Sequence, residues 1–343
     1  MSDRRPRATP GGELLTRVLE GITEVVYLPL RMMTESSAGQ RATGIVTGMF
    51  GGATDRHGDA QPAAMTVRLN SAVQVHLDRA ALAAAFPDAS QRVVVFLHGL
   101  VETERSWFHP STPDRSRTGT DFGGRLAGDL PCTPVYLRYN TGRHVSDNGR
   151  ELDELLARLV EQWPVPVTDL VLVGHSMGGL VARSATIRAH ERRGAWLTRN
   201  CRLVCLGTPH TGALLEQTVV HLGTLLDRFA ATAPLSRILA LRSDGIKDLA
   251  RGQLQPGQRD ERGASAMPGP VFPGSVRQCF IAVTLARSEN SIWGRLFGDL
   301  FVTPGSAGDP SQTAELRWLG GLNHFDLLSH DTVYDVMLEW LRS

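Results

Sequence analysis

The sequence predicts an α/β fold built on a mostly parallel β-sheet with helices on both faces. Short, uninterrupted runs of Val, Leu and Ile recur along the chain, and such runs are typical of strands buried on both faces. They alternate with helix-like stretches, which is the pattern of a parallel sheet covered on both sides. The strand-like runs are residues 92–99, 133–140, 169–176, 201–208, 278–285 and 314–320. The helix-like stretches are residues 148–163, 177–193 and 326–342.

The composition is that of an ordinary globular protein and gives no sign of a nucleic-acid partner. Of 343 residues, 36 are Lys or Arg and 35 are Asp or Glu, so the formal charge is +1. This balance excludes the strongly basic surface typical of nucleic-acid binding. Four cysteines are too few for a disulfide scaffold at this length. We therefore expect reduced thiols, and we interpret Cys201 and Cys205, which share one face of a predicted buried strand, as small core residues.

The N-terminal region predicts neither export nor a membrane span. Its first residues are basic, but charged residues interrupt the apolar stretch that a signal peptide needs. No run reaches the roughly 20 apolar residues of a spanning helix, so we expect a cytoplasmic protein. Residues 13–33 have apolar residues at helical spacing and predict an amphipathic helix. Its acidic polar face favours an extension that packs on the body of the protein; the alternative is weak contact with a membrane surface.

We divide the chain into an N-terminal helical extension, residues 1–65, and a main domain, residues 66–343. The main domain opens with residues 66–77, whose alternation of polar and apolar residues predicts a β-hairpin. Residues 214–276 then interrupt the alternation of strands and helices with helical stretches and a polar loop rich in Gly and Pro. This insertion is too long for a plain connection, and we interpret it as a lid over a pocket.

The motif that carries chemistry is a G-x-S-x-G match at residues 174–178. A strand-like run leads into it and a helix-like stretch follows, which is the setting of a nucleophile elbow. The turn is so tight that the positions two before and two after the serine must lack side chains. Gly174 and Gly178 meet this need, and Gly179 lets the helix approach closely. We therefore predict that Ser176 is a nucleophile presented at the edge of the sheet.

A serine hydroxyl needs a base to accept its proton, and a histidine late in the chain is the expected one. His324 follows the last predicted strand directly and is the favoured candidate. His330 is weaker, because the predicted helix 326–342 places it inside that helix. His175 is adjacent to the serine, but neighbouring side chains at an elbow point apart, so we interpret it as structural.

An acid must hold the tautomer of the base and stabilise the imidazolium. The best-placed carboxylate between nucleophile and base is Asp299, in the loop that follows the strand at residues 278–285. Asp309 is the second candidate in the same loop. Asp244 and Glu216 lie in the insertion and are less favoured.

Acyl transfer also needs hydrogen-bond donors for the developing oxyanion. One should be the backbone N–H of Met177, the residue after the nucleophile. The second should come from the loop after the first long strand, which begins His98-Gly99-Leu100. The glycine allows a sharp turn, and the Leu100 N–H is then available.

Together these residues resemble the α/β-hydrolase superfamily, and more narrowly a lipase/esterase group that includes GPI inositol-deacylase-like and bacterial triacylglycerol lipase-like proteins. The matching segments are FLHGL (96–100), VGHSMGGLVAR (173–183), LGTPHTGALLE (206–216), GDLFVTPGSA (298–307) and LNHFDLL (322–328). The resemblance implies an eight-stranded, mostly parallel sheet and a lid after the G-T-P-H-x-G run.

The resemblance also implies a triad of Ser176, Asp299 and His324, an oxyanion hole from Leu100 and Met177, and no metal or organic cofactor. One departure concerns the acid, which in the family often lies in an Asp-Gly-x-Val-Pro context; here Leu, Phe, Val and Thr follow Asp299. His210 in the Thr-Pro-His run is interpreted as a packing residue. The first ~90 residues lie outside the resemblance.

The sequence therefore predicts a serine hydrolase of carboxylic esters that works through an acyl-enzyme. The apolar residues of the insertion favour lipid-like or medium-chain esters, because they could shape an acyl pocket. A thioesterase or an acyltransferase would use the same residues. A non-catalytic binding protein on a hydrolase scaffold is the alternative from another class, and it predicts damage to at least one catalytic position.

Overall fold

In a computed structural model of the chain, the structure describes residues 64–69, 73–100, 102–108, 121–210, 272–284, 314–322 and 324–343. Strands within these ranges form one sheet of eight. They are β1 (Thr66–Leu69), β2 (Val73–Val75), β3 (Arg92–Leu97), β4 (Thr133–Arg138), β5 (Asp169–His175), β6 (Asn200–Leu206), β7 (Arg277–Thr284) and β8 (Glu315–Gly320).

The strand order across the sheet is β2-β1-β4-β3-β5-β6-β7-β8. Strand β1 is antiparallel to both β2 and β4, so the predicted hairpin over 66–77 is confirmed as a strand pair. All pairs from β4 to β8 are parallel. The carboxyl ends of β3 to β8 therefore lie at one edge of the sheet, and the prediction of a mostly parallel eight-stranded sheet is confirmed.

Five α-helices lie in the described part of the chain. They are α1 (Arg79–Ala85), α2 (Phe122–Asp129), α3 (Val145–Gln162), α4 (Met177–Glu191) and α5 (Asp331–Arg342). Three short 3-10 helices cover Glu104–Trp107, Ala195–Thr198 and His324–Leu328.

The two faces of the sheet bury separate apolar layers, because successive residues of a strand point to opposite faces. In β3, Val95 and Leu97 belong to one layer and Val94 and Phe96 to the other, and all four are fully buried. The first layer contains apolar residues of α3 and α4, and the second contains those of α2 and α5. Helices on both faces explain why the central strands are continuous apolar runs.

Helices α1 and α2 were not among the helices that the sequence predicts. The first is seven residues of mostly alanine, and the second contains three glycines, which disfavour a helix. Both are fixed at their starts, because Asp78 accepts from the Ala81 N–H and Asp121 from the Gly123 N–H. Packing of the buried Phe122 side chain then stabilises α2 despite its glycines.

The prediction of one helix over 326–342 is wrong at its start. The chain first forms the 3-10 helix His324–Leu328, and α5 begins only at Asp331. His330 is the N-cap of α5, and its Nδ1 accepts from the Thr332 N–H at 3.2 Å. His330 therefore lies before α5 and not inside a helix. Its ring accepts from the Thr332 N–H, which has no partner within the first turn of α5.

Several predictions concern residues outside the described ranges. The amphipathic helix 13–33 and the extension 1–65 fall there except for the last two residues, so the division at residue 65 stays a prediction. The lid 214–276 falls there except for residues 272–276. Among the helices that the structure describes, none has both the length and the apolar character required to cross a membrane.

The sheet generates a stability prediction with a matched control. Leu172→Ala in β5 removes a fully buried side chain between covered faces, so the free energy of unfolding should fall by about 2–5 kcal/mol. Leu316→Ala in the edge strand β8 removes a side chain that is 37% exposed, and the loss should stay below about 1 kcal/mol. Urea denaturation of both variants measures this difference, and equal losses would contradict the burial pattern.

Candidate active site

Ser176 occupies the junction between β5 and α4 in a backbone conformation that L-residues rarely adopt. Its φ is 50° and its ψ is −119°. Such a conformation costs of order 1–3 kcal/mol and persists only where the surroundings enforce it. The Ser176 N–H donates to the carbonyl of Leu206 at 2.8 Å, which fixes the turn to the end of β6. The half-buried serine is thus held at the carboxyl edge of the sheet.

The glycines around the serine are required by close backbone contacts. A Cβ on Gly178 would lie 2.5 Å from the Leu97 carbonyl oxygen and 2.7 Å from that of His98. A Cβ on Gly174 would lie against the backbone of Gly179, inside any allowed contact distance. Glycine at these positions lets α4 begin directly against the ends of β3 and β5, which is the steric logic of a nucleophile elbow.

A threonine after β6 closes the elbow from the other side. Thr208 donates through Oγ1 to the Ser176 carbonyl oxygen at 3.0 Å. A Cβ on Gly179 would collide with this same side chain. The run Gly-Thr-Pro-His that follows β6 therefore supports the conformation of the serine from a neighbouring strand.

His324 lies beside the elbow. It begins a 3-10 helix after β8 and is buried. A Cβ on Gly207 would lie 2.9 Å from its Cε1 and 3.0 Å from its Nδ1, so the imidazole rests directly on that glycine. Gly207, at φ 58°, follows Leu206, whose carbonyl accepts from the Ser176 N–H. The structure therefore brings Ser176 and His324 to the same point of the sheet edge.

The other candidate histidines are engaged elsewhere. His175 has its Nε2 3.3 Å from the His324 carbonyl oxygen, so this nitrogen faces main chain and not the serine hydroxyl. His330 caps α5, as described above. His210 stacks on Phe280 at a centroid distance of 3.8 Å and lies 2.8 Å from Arg183. Burial and the Arg183 cation hold the pKa of His210 well below its usual value, so it is neutral.

Hydrogen bonds within the loop after β3 and from Tyr139 hold this loop in place. His98 Nδ1 donates to the Gly99 carbonyl at 3.0 Å, and the Tyr139 hydroxyl donates to the His98 carbonyl at 2.5 Å. The Glu102 N–H donates to the Gly99 carbonyl at 3.3 Å, and the Gly99 N–H donates to Glu102 Oε2 at 2.7 Å. The next backbone N–H along this loop is that of Leu100, the candidate oxyanion donor, and Leu100 is buried. Gly178 contacts this loop, so Met177 at the start of α4 lies close to it.

The two candidate acids lie outside the described residues. Asp299 and Asp309 both belong to the connection between β7, which ends at Thr284, and β8, which begins at Glu315. This connection leaves the sheet at the carboxyl end of β7, which is the edge that carries Ser176. The topology is compatible with either acid, and the assignment of Asp299 stays a prediction.

Sequence reasoning did not find Glu102, which contacts His175, the residue before Ser176. Its Oε2 lies 3.2 Å from His175 Nδ1. Burial acts to raise the pKa of the Glu102 carboxyl, but the attraction of His175 and the hydrogen bonds from His175 and Gly99 outweigh it, and the pKa falls below its usual value. The only signal in the sequence is a carboxylate three residues after Gly99, and no spacing rule links it to His175 far along the chain.

Comparisons with known proteins fit this geometry. A family model for the PGAP1-like alpha/beta domain matches residues 136–250, a segment that contains the elbow. No curated protein matches the chain in sequence. The mature form of Bacillus licheniformis lipase BlEst2 gives a TM-score of 0.50 at 20% identity, covering 74% of this chain and 92% of that chain.

Two further structures give lower scores. The propeptide form of the same lipase gives a TM-score of 0.49 at 20% identity, with 74% of this chain and 50% of that chain covered. RedJ with a PEG molecule bound in its active site gives 0.44 at 20% identity, with 74% and 94% covered. At these identities, the likeness to the mature lipase shows the fold alone.

The contact between Gly207 and His324 generates a second prediction. Gly207→Ala combines a left-handed residue, which costs about 1–2 kcal/mol, with overpacking, which costs a further ~1–3 kcal/mol, against Leu327 Cδ1 at 2.5 Å and the His324 ring at 2.9 Å from the added Cβ. Gly321→Ala is the matched control, because its φ is 77° but its Cβ would meet nothing within 4 Å. The free energy of unfolding, measured by urea denaturation, should therefore fall more for Gly207→Ala. Equal losses would contradict the close packing of Leu327 and the His324 ring on Gly207.

Proposed function

Because the chain has the α/β-hydrolase fold, as the sequence resemblance predicted, we propose that it is a serine hydrolase of carboxylic esters with Ser176 as nucleophile and His324 as base. One observation carries the proposal: Ser176 is held at φ 50° with its N–H on the Leu206 carbonyl, and the His324 ring lies against the next residue, Gly207. A strained serine beside an imidazole at the carboxyl edge of a parallel sheet is the arrangement of an activated nucleophile.

The reaction begins with proton transfer. A neutral serine hydroxyl is a weak nucleophile, so His324 accepts the Ser176 proton as the Oγ attacks the ester carbonyl carbon. The carbonyl oxygen then carries negative charge. His175 does not compete for this role, because its Nε2 faces the His324 main-chain carbonyl.

Two backbone donors stabilise the oxyanion in this proposal. The N–H of Met177 is at the first turn of α4, where the helix N-terminus favours negative charge. The second donor is the N–H of Leu100, because the preceding N–H of Gly99 is already bound to Glu102. Donors of this kind are each worth about 10²–10³ in turnover.

The tetrahedral intermediate then collapses. His324 gives its proton to the leaving alkoxide, and the acyl group remains on Ser176 as an ester. His324 then deprotonates a water molecule, which attacks the carbonyl carbon of this acyl-enzyme. The second tetrahedral intermediate releases the acid, and His324 returns the proton to the Ser176 oxygen. Asp299 is the proposed partner of the His324 imidazolium.

We propose esters with an apolar acyl chain as the substrate class. The support is the sequence of residues 214–276, an insertion rich in Leu, Val and Ile that follows the edge of the sheet carrying Ser176. The insertion follows β6 in the sequence, and the end of β6 contacts the elbow through the Leu206 carbonyl. A p-nitrophenyl ester series of increasing acyl length tests this point, and kcat/KM should rise from acetate to medium-length chains.

Ser176→Ala tests the nucleophile. Turnover of a p-nitrophenyl ester should fall by about 10⁴-fold or more, because the acyl-enzyme cannot form without the Oγ. Ser343→Ala is the control, since Ser343 caps the end of α5 and accepts from Arg277 at the amino end of β7, the opposite edge of the sheet from Ser176. Its kcat and KM should equal those of the unsubstituted protein. Retention of full activity in Ser176→Ala, with far-UV circular dichroism unchanged, would end the proposal.

Asp299→Asn and Asp309→Asn test the acid as a matched pair. The first should lower kcat by about 10²–10⁴-fold with little change in KM, because an amide no longer stabilises the imidazolium. The second should leave kcat unchanged. Steady-state kinetics on one ester measures both, and the reverse result would assign the acid to Asp309.

A further inference from the structure

A buried pair, Glu102 and His175, connects the two loops that carry the proposed oxyanion donor and the proposed base. One oxygen of Glu102, Oε2, accepts from the Gly99 N–H at 2.7 Å and lies 3.2 Å from His175 Nδ1. The other ring nitrogen of His175, Nε2, lies 3.3 Å from the His324 carbonyl oxygen. The connection therefore runs from the loop after β3, through the residue before Ser176, to the main chain of His324.

The protonation of the pair follows from its partners. A carbonyl oxygen can only accept, so His175 Nε2 carries a hydrogen and donates it to His324. The Nδ1 faces a carboxylate whose pKa is lowered, chiefly by the attraction of His175 and its hydrogen bond, against the opposing effect of burial. The pair is therefore a carboxylate and an imidazolium, and His175 donates from both nitrogens. Charge-assisted bonds of this kind are shorter and stronger than neutral ones.

We infer that Glu102 and His175 are positioning residues. Together they fix the loop after β3, which carries the proposed donor Leu100 and is called the oxyanion loop below, and the proposed base His324 relative to Ser176. This inference rests on the proposed function. Glu102 acts through the N–H of Gly99, the residue before the donor Leu100, and His175 acts through the carbonyl of His324.

The surroundings show that space is reserved for this pair. The side chains of His175 and Glu102 are only 1% and 12% exposed, so water competes little for their bonds. A Cβ on Gly99 would lie 3.1 Å from both Glu102 Oε2 and His175 Nδ1, closer than nearly all real contacts. The glycine of the oxyanion loop therefore lets the loop approach the pair.

Other contacts hold the two ends of the pair independently. Trp107 presents its ring edge to His175 at a centroid distance of 6.4 Å, and the His175 and His324 rings lie 4.7 Å apart. Glu104, in the turn after Glu102, is fully buried and accepts from Arg138 Nε at 2.6 Å. Glu104 thus anchors this turn to β4 through Arg138, which provides a matched control two residues from Glu102.

The Glu102–His175 pair with its bonds to Gly99 and His324, called the bridge below, acts on groups that stabilise the transition state. It does not act on the acyl pocket. A misplacement of about 1 Å at such groups costs up to ~100-fold in turnover. Loss of the bridge should therefore lower kcat and leave KM nearly unchanged. A purely structural pair would instead lower the free energy of unfolding and leave the kcat of the folded protein unchanged.

The test compares Glu102→Gln, His175→Phe and their double variant with Glu104→Gln. In Glu102→Gln, the amide oxygen can still accept two hydrogen bonds, but the negative charge that keeps His175 an imidazolium is lost. A neutral His175 keeps its proton on Nε2 for the His324 carbonyl, so its Nδ1 no longer donates. We expect kcat for a p-nitrophenyl ester to fall about 10- to 100-fold in each single variant of the bridge. The double variant should lose little more than the worse single one, because the two residues act as one unit. Glu104→Gln should lower the free energy of unfolding and keep kcat.

A spectroscopic measurement separates the bridge from catalysis. Nitrogen-15 NMR of the His175 ring should show both nitrogens protonated at neutral pH, and Glu102→Gln should abolish this state. If the protein hydrolyses esters through Ser176 but Glu102→Gln keeps full kcat, or if one His175 nitrogen lacks a proton, the inference is wrong and the proposed function stands. If Ser176-dependent hydrolysis is absent, the proposed function fails and this inference fails with it.

Discussion

The conformation of Ser176 is the constraint around which the site is built. A φ of 50° is costly for serine, and the cost is met by contacts from three parts of the sheet. Gly178 lets the first turn of α4 lie against the end of β3. The Ser176 N–H donates to the Leu206 carbonyl, and the Thr208 hydroxyl donates to the Ser176 carbonyl. The strands β3, β5 and β6, which carry these contacts, are neighbours in the centre of the sheet and are buried on both faces. The strain is therefore retained, and the hydroxyl stays at the sheet edge.

The parallel order of the strands places the rest of the machinery at the same edge. The loop with the proposed oxyanion donor Leu100 follows β3, the proposed nucleophile Ser176 follows β5, and Gly207, which contacts His324, follows β6. Alignment of strand ends brings these loops together but does not fix them at the sub-ångström level that acyl transfer needs. In our account, Glu102 and His175 supply that second level of order, since their bonds run between loops that the sheet leaves unconnected.

The sequence predicted those features whose structure depends on residues close together in the chain. The elbow was predictable because its steric demand is met within five consecutive residues, and the parallel strands were predictable as apolar runs. Helix α2 was missed because its glycines oppose a helix and the packing of Phe122 overrides them. His175 was interpreted as merely structural because its partner Glu102 is distant in the chain and only the fold joins them. The choice of Asp299 rests on its position in a loop and not on a steric pattern, so the sequence settles it less well.

The central claim is that Ser176 is an activated nucleophile, and mapping of a covalent adduct tests it most directly. The protein is treated with a fluorophosphonate, digested, and analysed by tandem mass spectrometry, with a heat-unfolded sample in parallel. The account predicts one phosphonyl group per chain on Ser176, formed only in the folded protein, because activation needs the assembled elbow and His324. An adduct on another residue, or none on folded protein that hydrolyses esters, would contradict it.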